Sequence, residues 1–298
     1  LVLYEQGILS KEDNCYENLA SGAMSSYDFM INKISDLEIE PAQLALTPCS
    51  ASAVVTDAKT GKVLACVSYP GYDNNRLSNN MDTSYYTKLA LDQSSPFFNK
   101  ATQQTTAPGS TLKLLSAVTG MMEGVIDDGT YFDCTGEFDL VTPSIWCWNK
   151  QGHGSLEIRG AIEQSCNYFF YEMGYRLGNG HNTLVDNEKG LSKLKKYAEK
   201  YGLTEKSGIE LPEAEPTFSD VDVVRSAIGQ GSHSYTPVQM SRYVTTIANG
   251  GTCFDLTLIQ KIKDAKSKTQ DKKSSNVRNK LNFQSSTLTA IKTGMKNV

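Results

Sequence analysis

A serine and a lysine three residues apart are the first residues of this chain that could do chemistry together. In the segment APGSTLKLL, Pro108-Gly109 predicts a turn, and Ser110 then stands at the start of a predicted helix. Lys113 follows on the same helical face, and it could take the serine proton if burial lowers its pKa. The helix N-terminus would also offer a backbone N–H to a developing oxyanion. An exposed lysine near a helix start is the simpler interpretation of this motif alone.

A second candidate group lies 55 residues further along the chain, at Ser165-Cys166-Asn167. Ser165 could relay a proton to a leaving amine, and Asn167 could hold the lysine or a substrate amide. We predict that Cys166 faces away from the site and packs in the interior. Taken with Ser110 and Lys113, these residue types would suit a serine nucleophile with a lysine base beside it.

The elements that would position these residues follow a simple order along the chain. Two β-rich runs, Ala53–Thr56 and Val63–Ser68, flank a turn and predict a hairpin. Apolar spacing predicts helices over 155–177, 186–202 and 236–251. Early strands followed by many helices favour an α+β fold, in which helices cover an antiparallel sheet. Residues 1–49 are predicted to form a separate, polar helical segment and a connector.

Composition excludes several classes of protein. The 298 residues carry a formal charge of -4, which does not favour a nucleic-acid partner. No run of about 18 apolar residues occurs, so no transmembrane helix is expected in this chain. The chain opens on Leu1 without a signal peptide, so we expect it to be part of a longer polypeptide.

Cysteines and histidines give no strong sign of a metal or a triad. The seven cysteines lack a C-x-x-C pair, so we predict no metal site and no cofactor. Cys134 and Cys147 flank a predicted hairpin, where they form either a disulfide or two buried thiols. None of the three histidines, at 153, 181 and 233, has an obvious acidic partner in the sequence.

Several longer segments resemble one known family. SSPFFNKATQQTTAPGSTLK, GHGSLEIRGAIEQSCNYFF and RSAIGQGSHSYTPVQMSRYVTTIANGG, in that order, resemble the transpeptidase domain of class B penicillin-binding proteins. AVVTDAKTGKVLACVSYPGYDNN resembles the strands that open that domain. The likeness covers about residues 50–298, which are therefore predicted to be the transpeptidase domain. It implies a helical lobe facing an antiparallel sheet that is incomplete in this chain.

The resemblance implies a role for each motif residue. Ser110 would be the acylated nucleophile, Lys113 its base, and Ser165 with Asn167 the facing motif. The reaction would be acyl transfer on the D-Ala-D-Ala end of peptidoglycan stem peptides, and β-lactams would acylate the same serine. The protein would act at the extracytoplasmic face of a bacterial membrane, anchored by a segment outside this chain, with other cell-wall synthesis proteins as partners. A D,D-carboxypeptidase or β-lactamase, and a penicillin-binding sensor or scaffold, are the alternatives.

A third family motif, K-T-G, has a doubtful match near the end of the chain. In QSSTLTAIKTGM, the triplet Lys292-Thr293-Gly294 is followed by methionine, where the family has threonine or serine. The spacing of Leu288, Ile291 and Met295 predicts a helix, whereas the family places K-T-G on a strand. We therefore interpret the triplet as a coincidental match rather than the substrate-binding motif, and expect the chain to end before the true motif.

Overall fold

The computed structural model describes residues 2–5, 8–10, 14–39, 50–182, 184–266, 269–271 and 276–298. These residues form two compact units, residues 1–50 with 76–95, and residues 51–75 with 96–298. Across the described ranges, no helix combines the length and the apolar composition that a bilayer crossing needs.

The described residues of the first unit form four helices. Its helices are α1 (Val2–Glu5), α2 (Asn14–Ala20), α3 (Ser26–Ser35) and α4 (Thr83–Ala90). The Ser25 hydroxyl caps α3 by accepting the N–H of Asp28 at 3.0 Å. A small core of Tyr4, Leu9, Phe29 and Ile39 closes the unit. The predicted connector lies outside the described residues, and the boundary at residue 49 stays a prediction.

The second unit opens with the predicted hairpin. Strands β1 (Ala51–Thr56) and β2 (Val63–Tyr69) pair antiparallel, with Val54 opposite Cys66. The turn is closed by the Asp57 carboxylate, which accepts the N–H groups of Lys59 and Thr60 at 2.8 and 2.9 Å.

Helices dominate the rest of this unit. The helices are α5 (Lys113–Met122), α6 (Ile158–Glu163), α7 (Asn167–Leu177), α8 (Asn187–Lys200), α9 (Val223–Ser226), α10 (Pro237–Ala248) and α11 (Ser285–Asn297). The short strands are β3 (Phe132–Cys134), β4 (Glu137–Phe138), β5 (Ile145–Trp146), β6 (Gly154–Leu156), β7 (Thr252–Phe254), β8 (Ile262–Lys263), β9 (Thr269–Asp271) and β10 (Val277–Lys280). Besides β1–β2, the pairs are β3–β6, β4–β5, β7–β10 and β8–β9, all antiparallel. The predicted α+β class is confirmed.

Helix α5 lies at the centre of the core. Leu115, Ala117 and Val118 are fully buried, and α5 packs against α7, α8 and α11. Its first residue, Lys113, is therefore carried on an element that is surrounded by other helices. This rigid support suits a catalytic side chain because the surrounding helices fix its backbone.

Two predicted helices differ from the structure at the residues that matter most. The helix predicted over 155–177 is two helices, α6 and α7, separated at residues 164–166. The helix predicted from Ser110 begins as a 3₁₀ turn, Gly109–Leu112, and becomes α5 only at Lys113. The helices predicted over 186–202 and 236–251 are confirmed as α8 and α10, and the helical interpretation of 288–295 is confirmed by α11.

Candidate active site

The Ser110 turn is built on close backbone packing. Gly109 has a φ of +55°, and its N–H donates to the carbonyl oxygen of Gly229 at 3.0 Å. A Cβ on Gly229 would lie 2.0 Å from the carbonyl oxygen of Gly109, so only glycine fits there. Gly229, in the I-G-Q-G segment at 228–231, therefore allows the two backbones to approach closely at the Ser110 turn.

A tyrosine that the sequence analysis missed fixes the junction between this turn and α5. The buried Tyr243 hydroxyl accepts the N–H of Leu115 at 2.9 Å and donates to the carbonyl oxygen of Thr111 at 3.1 Å. Both hydrogen bonds are made to backbone groups next to the motif. Tyr243 thus holds the Ser110 turn in register with the helix that carries Lys113.

Lys113 is the centre of the site. Its side chain is 2% exposed, and its Nζ donates to Ser165 Oγ at 3.1 Å, to the Ser165 carbonyl oxygen at 2.7 Å and to Asn167 Oδ1 at 2.6 Å. Burial lowers the pKa of the Lys113 ammonium to about 8, although nearby cysteines oppose the shift. A lysine with such a pKa is partly neutral near pH 7 and can accept a proton.

Ser110 and Lys113 are joined through the backbone, whereas their side chains make no hydrogen bond to each other. The Lys113 backbone N–H donates to the Ser110 carbonyl oxygen, which closes the 3₁₀ turn. The Ser110 side chain is exposed, and its hydroxyl has no hydrogen bond among the described residues. The structure thus joins Lys113, Ser165 and Asn167 by direct hydrogen bonds and places Ser110 one turn before the lysine, open to solvent.

The break between α6 and α7 presents Ser165 and Asn167 to the lysine. Ser165 has a φ of +47°, a left-handed conformation that redirects the chain after α6. Cys166 caps α7 through its sulfur, which accepts the Phe169 N–H at 3.5 Å, and Asn167 is the first residue of α7. Cys166 is fully buried, in agreement with its predicted packing role.

Of the triplet Lys292-Thr293-Gly294, the glycine is buried in the contact between α11 and α6. A Cβ on Gly294 would lie 2.8 Å from Ile162 Cβ and 3.0 Å from the Arg159 carbonyl oxygen, so the glycine lets α11 approach α6 closely. Lys292 is exposed. The predicted apolar stripe is only partly right, because Ile291 is buried but Met295 is 39% exposed.

Three cysteines and a histidine meet at the Ser165-Cys166-Asn167 motif, an arrangement that the sequence analysis did not anticipate. The ligand atoms of Cys134, Cys147, His153 and Cys166 all lie within 4.8 Å of one another, and we call this group the thiol–imidazole cluster. His153 Nδ1 is 3.5 Å from Cys134 Sγ and 3.6 Å from Cys147 Sγ. The three cysteines are buried and free, so the alternative of a Cys134–Cys147 disulfide is not the one in the structure.

The thiol–imidazole cluster has the composition of a zinc site. Zn²⁺ takes three Cys and one His in structural sites, with bonds of about 2.3 and 2.0 Å, which place tetrahedral ligands roughly 3.5–3.8 Å apart. A hydrogen bond from Cys166 lowers the pKa of the Cys147 thiol, which favours the thiolate that a metal needs. The absence of C-x-x-C, our reason for predicting no metal site, does not exclude one, because the fold brings four single ligands together.

The other two histidines lie apart from these groups. His181 Nε2 is 2.6 Å from Glu172 Oε1, so an acidic partner exists that the sequence did not reveal. His233 is buried, its Nδ1 accepts the Ser219 N–H at 3.0 Å, and burial lowers its pKa to about 4. Within the described parts of the chain, neither ring makes a hydrogen bond to a serine hydroxyl, so neither forms a Ser-His pair.

Comparison with known proteins places this arrangement in a family. Residues 51–298 match the model of the penicillin-binding protein transpeptidase domain. The chain belongs to this family. It is 31% identical over 234 residues to the peptidoglycan D,D-transpeptidase MrdA of Escherichia coli (strain K12), covering 72% of this chain and 35% of that protein. It is also 31% identical over 229 residues to the peptidoglycan D,D-transpeptidase PbpA of Mycolicibacterium smegmatis, covering 72% and 44%. The chain thus spans less than half the length of these relatives.

Solved structures share the fold. PBP2 from Helicobacter pylori superposes with a TM-score of 0.68 at 25% identity, over 83% of this chain and 46% of that chain. Penicillin-binding protein A from M. tuberculosis, solved as its imipenem acyl-enzyme complex, gives a TM-score of 0.70 at 23% identity, over 84% and 56%. The second likeness concerns the fold alone.

Proposed function

We propose that residues 50–298 form the transpeptidase domain of a peptidoglycan D,D-transpeptidase, with Ser110 as the acylated nucleophile. One observation carries the proposal: the buried Lys113 amine bonds both Ser165 and Asn167 and stands one turn after an exposed serine. Its lowered pKa suits a base that acts near neutral pH. The names of the MrdA and PbpA relatives support the same reaction.

In the proposed reaction, neutral Lys113 takes the Ser110 proton as the hydroxyl oxygen attacks the carbonyl carbon of the penultimate D-Ala. The peptide bond to the last D-Ala then breaks, and Ser165 relays a proton from Lys113 to the leaving amine. The stem peptide is left as an ester on Ser110. An amine from a neighbouring peptide attacks this ester, which restores the serine and forms the crosslink.

The same nucleophile would open a β-lactam ring and remain acylated. Because the proposed substrate is peptidoglycan, we place the reaction at the extracytoplasmic face of a bacterial membrane. A related PBP2 from Helicobacter pylori has been solved in complex with MreC, and a further neighbour belongs to a peptidoglycan synthase complex. Other cell-wall synthesis proteins are therefore the proposed partners.

We also propose that Lys292, Thr293 and Gly294 take no part in substrate binding. Their helix, α11, packs against α6, and Gly294 lies in the contact between the two helices. This assignment leaves the catalytic role to Ser110, Lys113, Ser165 and Asn167.

The direct test supplies the full-length protein with a stem peptide ending in D-Ala-D-Ala and an amine acceptor. We expect release of D-Ala and a crosslinked product, both lost in Ser110→Ala. Ser155→Ala, at an exposed serine on β6, is the matched control and should keep both activities.

The outcomes separate the alternatives. Release of D-Ala with water as the only acceptor would identify a carboxypeptidase, and rapid hydrolysis of penicillin would identify a β-lactamase. Acylation by penicillin without any turnover of stem peptide would identify a sensor. Product formation that survives Ser110→Ala would overturn the assignment of the nucleophile.

A further inference from the structure

Trp148 is tied to the break between α6 and α7. Its indole N–H donates to the carbonyl oxygens of Gln164 and Ser165, both at 3.1 Å. The Ser165 oxygen is the same atom that accepts Lys113 Nζ at 2.7 Å. One carbonyl oxygen therefore connects Trp148 to the proposed base.

The backbone at Ser165 needs such support. A non-glycine residue in the left-handed region costs on the order of 1 kcal/mol or more, so its surroundings must hold it there. The Ser165 N–H donates to the Ile162 carbonyl oxygen at 3.1 Å, which fixes one side of the residue. The other side is held by Lys113 and Trp148. Because Lys113 must gain and lose a proton, Trp148 is the donor whose strength stays constant through the reaction.

The rest of the indole is open. Trp148 is 62% exposed although its N–H is bonded on one edge. The ring also meets His153 edge to face, with 5.0 Å between centroids. Ligand pockets are commonly lined by aromatic rings that are held rigidly and expose an apolar face. This ring is hydrogen-bonded to Ser165, the residue that would face the acyl donor in the proposed reaction.

We propose that Trp148 is a positioning residue for Ser165, and that its exposed ring forms a wall of the cleft against which the apolar part of the acyl donor packs. The inference rests on the proposed function, because that function defines the donor. It assigns two separable roles to one side chain, one to the N–H and one to the ring.

Two variants separate these roles in the full-length protein. Trp148→Phe keeps an aromatic ring but loses the donor, and Trp148→Ala loses both. Stopped-flow acylation by a fluorescent penicillin gives the dissociation constant of the first complex and the first-order acylation constant separately. Trp146→Phe, at the partly exposed tryptophan of β5, is the matched control and should change neither constant.

For Trp148→Phe we expect the acylation constant to fall about fivefold to tenfold, the size of one lost hydrogen bond, with the dissociation constant changed less than about twofold. Trp148→Ala should in addition raise the dissociation constant about fivefold or more. A merely structural role would lower the melting temperature without this division between the two constants.

Each outcome has a definite meaning. An unchanged acylation constant in Trp148→Phe overturns the positioning role. An unchanged dissociation constant in Trp148→Ala overturns the proposal that the indole ring packs against the acyl donor. If the wild-type protein is not acylated at all, the proposed function and this inference fall together, whereas failure of the variants alone rejects only the role of Trp148.

Discussion

Replacing Gly294 by valine tests whether the K-T-G triplet packs or binds. A Cβ at position 294 would lie 2.8 Å from Ile162 Cβ and 3.0 Å from the Arg159 carbonyl oxygen, whereas an ordinary contact between carbons is about 3.5–4.0 Å. Helices α11 and α6 must therefore separate or bend. Overpacking of this kind costs about 1–3 kcal/mol, and the branched side chain places valine at the upper end. At roughly 2–4 °C per kcal/mol, the melting temperature should fall by about 6–12 °C.

The assay is thermal unfolding followed by circular dichroism, together with penicillin acylation at a temperature where the variant is folded. Gly294→Ala should lose less, because alanine regains about 1 kcal/mol of helix propensity. Lys292→Ala is the matched control on the same helix, and its exposed side chain should change stability by about 0.5 kcal/mol at most. The reasoning is refuted if Gly294→Val melts like the wild type but loses acylation, or if Lys292→Ala alone abolishes it.

Three further predictions concern the Lys113 amine, the buried His233 ring and the thiol–imidazole cluster. Because the pKa of Lys113 is about 8, roughly a tenth of the Lys113 amine is neutral at pH 7 and half is neutral at pH 8. The acylation rate should therefore rise about fivefold between pH 7 and pH 8 and level off above pH 9. A rate that does not change with pH would contradict the role of Lys113 as the base. Burial lowers the pKa of His233 from 6.5 to about 4, so the unfolded chain binds the extra proton first, and about 3 kcal/mol of stability should be lost as pH falls from 6.5 to 4. Urea unfolding across this window should show the decline, and an equal slope in His233→Gln would assign it elsewhere. Protein prepared with zinc should retain about one metal ion per chain, and chelation or Cys134→Ser should lower the melting temperature by several degrees; metal-free protein of equal stability would reject the site.

Local pattern was enough to predict the parts of the fold that depend on neighbours in sequence. The hairpin from Ala51 to Tyr69 follows from alternating β-branched residues around a turn. The helix that contains Lys292 follows from apolar spacing, although the motif itself suggested a strand. Ser110, Lys113 and Asn167 were predicted as site residues because the longer segments around them resemble a known family, since each short motif alone is weak evidence.

Tertiary contacts decided the rest, and no local pattern contains them. The break at Ser165 is invisible in the sequence because apolar residues continue at helical spacing on both sides of it. The thiol–imidazole cluster draws its ligands from β3, the end of β5, a loop and the start of α7, so no short motif marks it. Tyr243 and Trp148 form hydrogen bonds with backbone groups that are distant in the sequence. Such bonds produce no regular residue spacing from which they could have been predicted.

The most direct measurement is the position of the acyl group on the protein. Full-length protein is acylated with penicillin, digested and mapped by mass spectrometry, in parallel with Ser110→Ala. We predict a single adduct on the peptide that contains Ser110 and no adduct in the variant. An adduct on any other residue, or one that persists in Ser110→Ala, would contradict the account.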